Sequence, residues 1–414
     1  MKHVYTSIDL GTDSIKVVVC ELFNNKLNLL AASSAQSKGI KKGLITDVYE
    51  AGAALEKALT EVEQMLGIKI QKVLATVPSC FAEFSLSSGG IQIEVEEAIT
   101  GKEISDLLKV IVSEKQSETH EIVSILPIDF TVDEQVGIKD PKGLFGNVLG
   151  IRAIVVTTPK KNIYSVVSLL ENAGLEVVDI TLGSIADISA LREKEMETQV
   201  GALINIGFDT TTISLYNKGI MVKNSVLGKG SRYVNHDIMY RYNVDEKTAI
   251  HLKEHFALAH KNYASVNDVC EIEDKLGMPV KVNQFELSET VMSRIEDILL
   301  SAKKEINSLT KRTVDYILVT GGITTMDNFS LVAEEVLGKK TKVGYVRLVG
   351  IRNNKYSTAL GNIIYFIQKT KLKGQDYTMI RKNDMEQLSN PGKGMVSVSS
   401  DSMLGRVFGY FFND

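Results

Sequence analysis

Short apolar blocks punctuated by glycine dominate the start of the chain. Residues 4–10, 15–22 and 26–33 each read as a strand, the first two joined by the turn Gly11-Thr12-Asp13. Asp47, with Glu50 three residues on, predicts a capped helix. Ala51, Ala54, Leu55, Ala58, Leu59, Val62, Met65 and Leu66 form its apolar stripe at helical spacing. A strand over 73–77 stops at Pro78. From 83 to 159 the pattern changes. Strands are expected over 90–95, 122–126, 129–132 and 151–157, with a helix over 103–112 and a glycine-rich loop, GIKDPKGLFGNVLG. This block reads as a small α+β unit inserted into the first half. A helix over 161–175, a strand over 176–180 and a short helix over 184–191 follow.

The second half repeats the opening. Residues 203–216, LINIGFDTTTISLY, form another strand, glycine turn and strand, followed by a strand over 222–227. Helices are expected over 231–242 and 245–258. The strongest helix spans 288–309, with Val291, Ile295, Ile298, Leu299, Ala302, Ile306 and Leu309 on one face. A buried-type strand over 315–320 runs into Gly321-Gly322, and helices over 328–337 and 357–368 close the pattern. Residues 369–401 are polar and read as a flexible linker. Met403, Leu404, Val407, Phe408, Phe411 and Phe412 then recur on one face of a helix over 402–413. A dozen residues cannot span a bilayer, so this helix is expected to lie in a membrane interface.

The two hairpins align residue by residue. Ile8-Asp9-Leu10-Gly11-Thr12-Asp13-Ser14 falls over Ile204-Asn205-Ile206-Gly207-Phe208-Asp209-Thr210. Glycine permits positive φ and close backbone approach, successive N–H groups form an anion nest, and hydroxyls add donors. A turn of this kind suits phosphate. ILVTGGITTMDNF sets two glycines between a buried strand and a helix, where backbone approaches a nucleotide. Hairpin, long segment, hairpin and glycine pair follow the order of the two-lobed actin/Hsp70-like α/β ATPase fold.

Composition adds exclusions. The 414 residues carry a net charge of −4, so no general nucleic-acid footprint exists. The three cysteines, Cys20, Cys80 and Cys270, form no metal or redox pattern. The N-terminus MKHVYTSIDLG enters a strand directly, without a signal-peptide pattern, and no apolar run approaches the roughly 20 residues of a spanning helix. His251-Leu252-Lys253-Glu254-His255 fits the inverted zinc-protease spacing, but the pattern is short and Lys253 sits inside it, so it is read as a solvated helix face.

The order and wording resemble the FtsA family of actin-like cell-division proteins. The similar stretches are SIDLGTDSIKVVV, LPIDFTVDEQVGIKDPKGLFG, LLENAGLEV, VLGKGSRYVNHDIMYRYNV, ILVTGGITTMDNF and YSTALGNIIY. The resemblance implies lobe cores at 1–82 with 160–195 and at 196–225 with 310–368. It places an inserted subdomain at 83–159, an outer subdomain at 226–309, and a membrane-targeting helix at 402–414. It implies ATP held by Gly11, Thr12, Asp13, Ser14 and Lys16, by Gly207, Phe208, Asp209, Thr210 and Thr211, by Gly321, Gly322 and Ile323, and by Lys253. Asp9 would hold hydrated Mg²⁺. It also implies filament formation, recruitment of later division proteins, and binding of the FtsZ C-terminal tail by the outer subdomain, with Arg294 pairing with its acids. The location implied is the cytoplasmic face of the membrane at the division site. Asn205 stands where the family has an aspartate, Phe208-Asp209 replace two glycines, Ile250 replaces a glutamate, and Leu182 stands near an expected acid. These departures predict ATP binding with slow hydrolysis at most. A PilM-like pilus adaptor and a sugar-kinase-type phosphotransferase are the competing classes.

Overall fold

Each glycine hairpin is the heart of a five-stranded sheet. The computed structural model describes residues 2–93, 98–113, 115, 117–351, 353–381, 384, 385 and 388. The expected membrane-facing residues Met403, Leu404, Val407, Phe408, Phe411 and Phe412 lie outside them. The chain divides into two units. One comprises Met1–Leu191, Val346–Arg352 and Tyr356–Asp414, and the other Arg192–Tyr345 and Asn353–Lys355.

In the first unit the strands lie in the order Glu176–Leu182, Lys72–Val77, His3–Leu10, Ser14–Phe23, Lys26–Gln36. Val48–Leu66 buries Ala51, Ala54, Leu55, Ala58, Leu59 and Val62. Asp47 caps it by accepting from the Tyr49 and Glu50 amides, and Gly67 ends it in the left-handed region. The YSTALG motif has a packing explanation. The Ser357 and Thr358 hydroxyls both donate to the buried Asp187 carboxylate at 2.8 Å. A Cβ on Gly361 would lie 1.8 Å from the Ala186 carbonyl oxygen. The helix Ser357–Leu372 thus lies directly on Gly183–Leu191.

The inserted sheet has the strand order Glu83–Gln92, Val148–Pro159, His120–Val132, Gln135–Ile138. The helix Gly101–Ser113 covers it with Ile104, Leu107 and Ile111. The strand His120–Val132 is continuous where two strands were expected. Its register shifts between Pro127 and Asp129, so a bulge absorbs the proline that broke the pattern.

The C-terminal part of this unit departs from the expected linker. Residues 369–372 complete the last helix, and Leu372 packs against the inserted domain's core. The next residues return to the strand His3–Leu10, whose pairing with Lys72–Val77 covers only Ser7 and Ile8. There the Met379 amide donates to Val4 O at 2.9 Å, and the Val4 amide donates to Thr378 Oγ1 at 3.1 Å. Met379 is buried. This strap satisfies backbone groups that the short neighbouring strand leaves open.

The second unit repeats the plan, in the order Ile220–Leu227, Thr211–Asn217, Val200–Ile206, Tyr316–Thr320, Thr341–Val343. Gln284–Leu309, capped by the Asn283 side chain, packs Val291, Ile295, Ile298, Leu299, Ala302 and Ile306 into its core. Arg232–Tyr242, Glu246–His255 and Phe329–Leu337 are its other α-helices among the described residues. A small hairpin, Val269–Glu273 with Pro279–Asn283, was not anticipated.

Candidate functional site: the glycine turns

The two hairpins close identically. The last paired residues are Leu10 and Ile15 in one and Ile206 and Thr211 in the other, leaving turns over 11–14 and 207–210. The strand Tyr316–Thr320 runs parallel beside Val200–Ile206, pairing Asn205 with Thr320. The glycine pair therefore emerges next to the second turn.

In the first turn Asp9 and Lys16 are cross-strand partners. The Lys16 ammonium donates to Asp9 Oδ2 at 3.3 Å, and the Thr76 hydroxyl donates to Oδ1 at 3.4 Å. Thr12 Oγ1 accepts from the Gly43 amide at 2.9 Å. Asp13 is exposed and Ser14 buried. Gly11 does not have positive φ, contrary to the expectation, and neither does Gly207. Close approach is what requires Gly11: a Cβ there would lie 2.7 Å from Ser14 O. Asp9 alone offers one carboxylate already contacted by Lys16. Among the described residues no group of three or more potential metal ligands exists. That donor set suits a hydrated Mg²⁺ anchored mainly by phosphate, not a protein cage.

The second turn is tied to a helix. The Ser231 amide donates to Gly207 O at 2.8 Å and the Arg232 amide to Phe208 O at 2.9 Å. These bonds satisfy carbonyls of the turn and the helix's leading donors together. Thr211 donates its hydroxyl to Lys229 O at 2.8 Å. Phe208 and Asp209 both meet one arginine. Arg232 Nη1 donates to Asp209 Oδ1 at 3.1 Å, and the guanidinium lies over the Phe208 ring, 5.1 Å from its centre. The acid in this turn is thus partly neutralised from the helix.

The two glycines of the third turn differ. Gly321 has φ +114, and a Cβ would lie 2.1 Å from Ile206 O and 3.1 Å from Asn205 Oδ1. Gly322 has open space around it and begins a short 3-10 turn, Gly322–Thr325. Ile323 is buried. The Asn354 side-chain Nδ2 donates to Thr324 Oγ1 at 3.0 Å, fixing that turn.

Lys253 is 7% exposed on Glu246–His255, and its ammonium donates to Asn235 Oδ1 at 2.9 Å. Asn235 and Arg232 both come from the Arg232–Tyr242 helix. Sequence reasoning assigned neither residue a role. The available signal was GKGSR, in which Gly230 lets the chain pass Phe208: a Cβ there would lie 2.3 Å from Phe208 O. His251 and His255 are exposed with ring centres 4.8 Å apart, and the zinc reading finds no third ligand among the described residues.

Arg294 stands elsewhere in this unit, within an ion network. Its Nε donates to Asp237 Oδ2 at 2.6 Å, Nη2 to Asp237 Oδ1 at 2.9 Å and Nη1 to Asp297 Oδ2 at 3.1 Å. The Asp237 bond holds its pKa above the ordinary value. Tyr233, His236, Tyr240 and Lys275 line a groove that also includes Asp237.

A family model described as Cell division protein FtsA matches residues 202–361, and one for the SHS2 domain inserted in FtsA matches 83–157. Cell division protein FtsA of Streptococcus pneumoniae is 29% identical over 363 residues, covering 85% of this chain and 78% of the relative. That of Enterococcus hirae is 29% identical over 369 residues, covering 87% and 83%. Among solved structures, a PilM-PilN type IV pilus biogenesis complex aligns with TM-score 0.58 at 13% identity, covering 87% of this chain and 98% of that one. That likeness bears on the actin-like fold alone. Two family models matched at successive stretches of the chain, and relatives of one kind aligned over most of its length, show that it is similar to the FtsA cell-division proteins.

Proposed function

We propose that this protein is an ATP-binding, self-assembling adaptor that ties the FtsZ ring to the inner face of the cytoplasmic membrane and recruits later division proteins. The observation that carries the nucleotide part is the repeated four-residue turn, once beside Asp9 and Lys16 and once beside Gly321. Turn amides, hydroxyls and Lys16 would hold the phosphates of ATP, with Lys253 and Ile323 toward the nucleoside. Asp9 would orient water on Mg²⁺; the ion, when bound, would neutralise phosphate charge. With Asn205 in place of a second carboxylate, hydrolysis is slow. The FtsZ tail would engage the outer subdomain, 226–309, near Arg294.

The membrane part rests on the apolar face of 402–413. Each large side chain buried in lipid contributes about 1.5–3 kcal/mol at best, less the ordering of a helix containing Gly405 and Gly409. One helix therefore binds weakly, and a filament presenting many binds by avidity. In liposome flotation with ATP, with and without FtsZ, the parent chain should float and carry FtsZ. Phe408→Glu with Phe411→Glu should abolish flotation at an unchanged melting temperature. Retained flotation, or a collapsed melting temperature, would overturn the anchor and favour a PilM-like adaptor.

A further inference from the structure

The peptide between Gly321 and Gly322 has no side chain on either flank to hold it, and such a peptide turns over easily. Here its carbonyl is held twice. Gly321 O accepts from the Thr324 backbone N–H at 3.1 Å and from the Thr324 hydroxyl at 2.8 Å. Thr324 Oγ1 in turn accepts from Asn354 Nδ2 at 3.0 Å. A hydroxyl has a single proton, and a side-chain amide nitrogen only donates. Asn354 therefore directs the Thr324 proton to Gly321 O. Thr324 and Asn354 are buried, so water does not compete for these groups. The other end of the same peptide is the Gly322 N–H. A trans peptide is planar, so holding its oxygen toward Thr324 aims its N–H the opposite way. That N–H has no hydrogen-bond partner among the described residues, and Gly322 is exposed with open space around it. Asn354 reaches the turn from Asn353–Lys355, which group with the second unit although the chain on either side, 346–352 and 356 onward, groups with the first.

We propose that Thr324 and Asn354 are positioning residues for the nucleotide: together they lock the Gly321–Gly322 peptide so that the Gly322 N–H stands ready for a nucleotide oxygen. This rests on the nucleotide reading above and specifies it. Neither side chain touches the ligand in this role. A donor already in place need not be ordered when the ligand arrives, and binding is tighter for it.

Titration calorimetry of the full chain with Mg²⁺ and ATP tests this, with the melting temperature of the nucleotide-free protein as the check on folding. The readout is the affinity of the folded protein, which a role in stability alone would leave unmoved. Thr324→Val keeps the shape and removes the hydroxyl, so ATP affinity should fall about three- to tenfold. Thr324→Ser retains the hydroxyl and should recover most of that loss. Asn354→Asp preserves size but supplies a carboxylate that only accepts, drawing the Thr324 proton away from Gly321 O. Its affinity should fall as in Thr324→Val. Asn354 makes a further contact, so Thr324→Val carries the test should the Asn354 variant melt early. The double variant should bind no more weakly than the weaker single one, because both changes break one chain of bonds. Thr324→Val binding ATP as tightly as the parent, Thr324→Ser binding as weakly as Thr324→Val, or losses that add in the double variant would overturn the positioning role and leave the nucleotide reading standing. A parent chain that binds no ATP would overturn both.

Discussion

Gly321→Ala is the sharpest perturbation the second unit offers. The backbone at Gly321, φ +114 and ψ 164, lies in a region almost confined to glycine. Placing alanine there costs about 1–3 kcal/mol in backbone strain. The new methyl would stand 2.1 Å from Ile206 O and 2.8 Å from Ile206 C, so the strand end leading into the 207–210 turn must shift. Overpacking of this kind adds about 1–3 kcal/mol. The sum, about 2–6 kcal/mol, corresponds to a fall in Tm of about 5–20 °C for a unit of this size. Gly322→Ala is the internal control. Nothing lies within 4 Å of its added carbon and its φ is not positive. Its effect should stay within about 0.5 kcal/mol, or about 2 °C. Thermal unfolding of the full chain, followed by circular dichroism, compares the two. A Gly321→Ala variant melting within 2 °C of the parent, or two equally destabilised variants, would refute the argument from close approach.

The same open space makes Gly322→Asp informative. The fold should keep its Tm while ATP affinity measured by calorimetry falls at least about tenfold, because a carboxylate would face the phosphates; equal affinity would remove Gly322 from the site. Asp187→Ala should cost about 2–4 kcal/mol in urea unfolding, since two hydroxyl donors lose a charged acceptor in a buried contact. A loss below about 1 kcal/mol would show that the helix pair rests on apolar packing alone. Arg294→Glu should weaken binding of an FtsZ tail peptide by about tenfold or more in fluorescence polarisation, reversing the charge within the Asp237–Asp297 network. A peptide that binds this variant as tightly as the parent would place Arg294 outside the footprint.

The repeated hairpins, the inserted unit and the long helix were legible because their apolar periods are long and their turns repeat. The hairpin Val269–Glu273 with Pro279–Asn283 was not. Its strands are short, and apart from the buried Val282 their apolar side chains remain half-buried or exposed, leaving little hydrophobic signal. Gly321 and Gly322 read alike as letters, and only the neighbouring Ile206 carbonyl distinguishes them. The partner of Asp209 lies 23 residues away on a helix, and the partners of Asp187 lie 170 and 171 residues away. Sequence spacing carries no such pairing. Met379 is a single buried apolar residue in polar surroundings, so the last residues before the tail looked like tether throughout.

The strap formed by Thr378 and Met379 has a mechanical consequence. Tension applied to the chain beyond Met379 is borne first by its bonds to Val4, not by the helix end at Leu372. Val4 lies near one end of an eight-residue strand, a stiff rod about 26 Å long whose far end, Leu10, adjoins Gly11. Because Val4 pairs with Glu21 and Leu10 with Ile15, the neighbouring strand shares that load along its length. A pull along the axis of this strand would load its hydrogen bonds with Ser14–Phe23 in shear, a direction that resists rupture better than peeling bonds one by one. The strap and the first glycine turn lie at opposite ends of one strand.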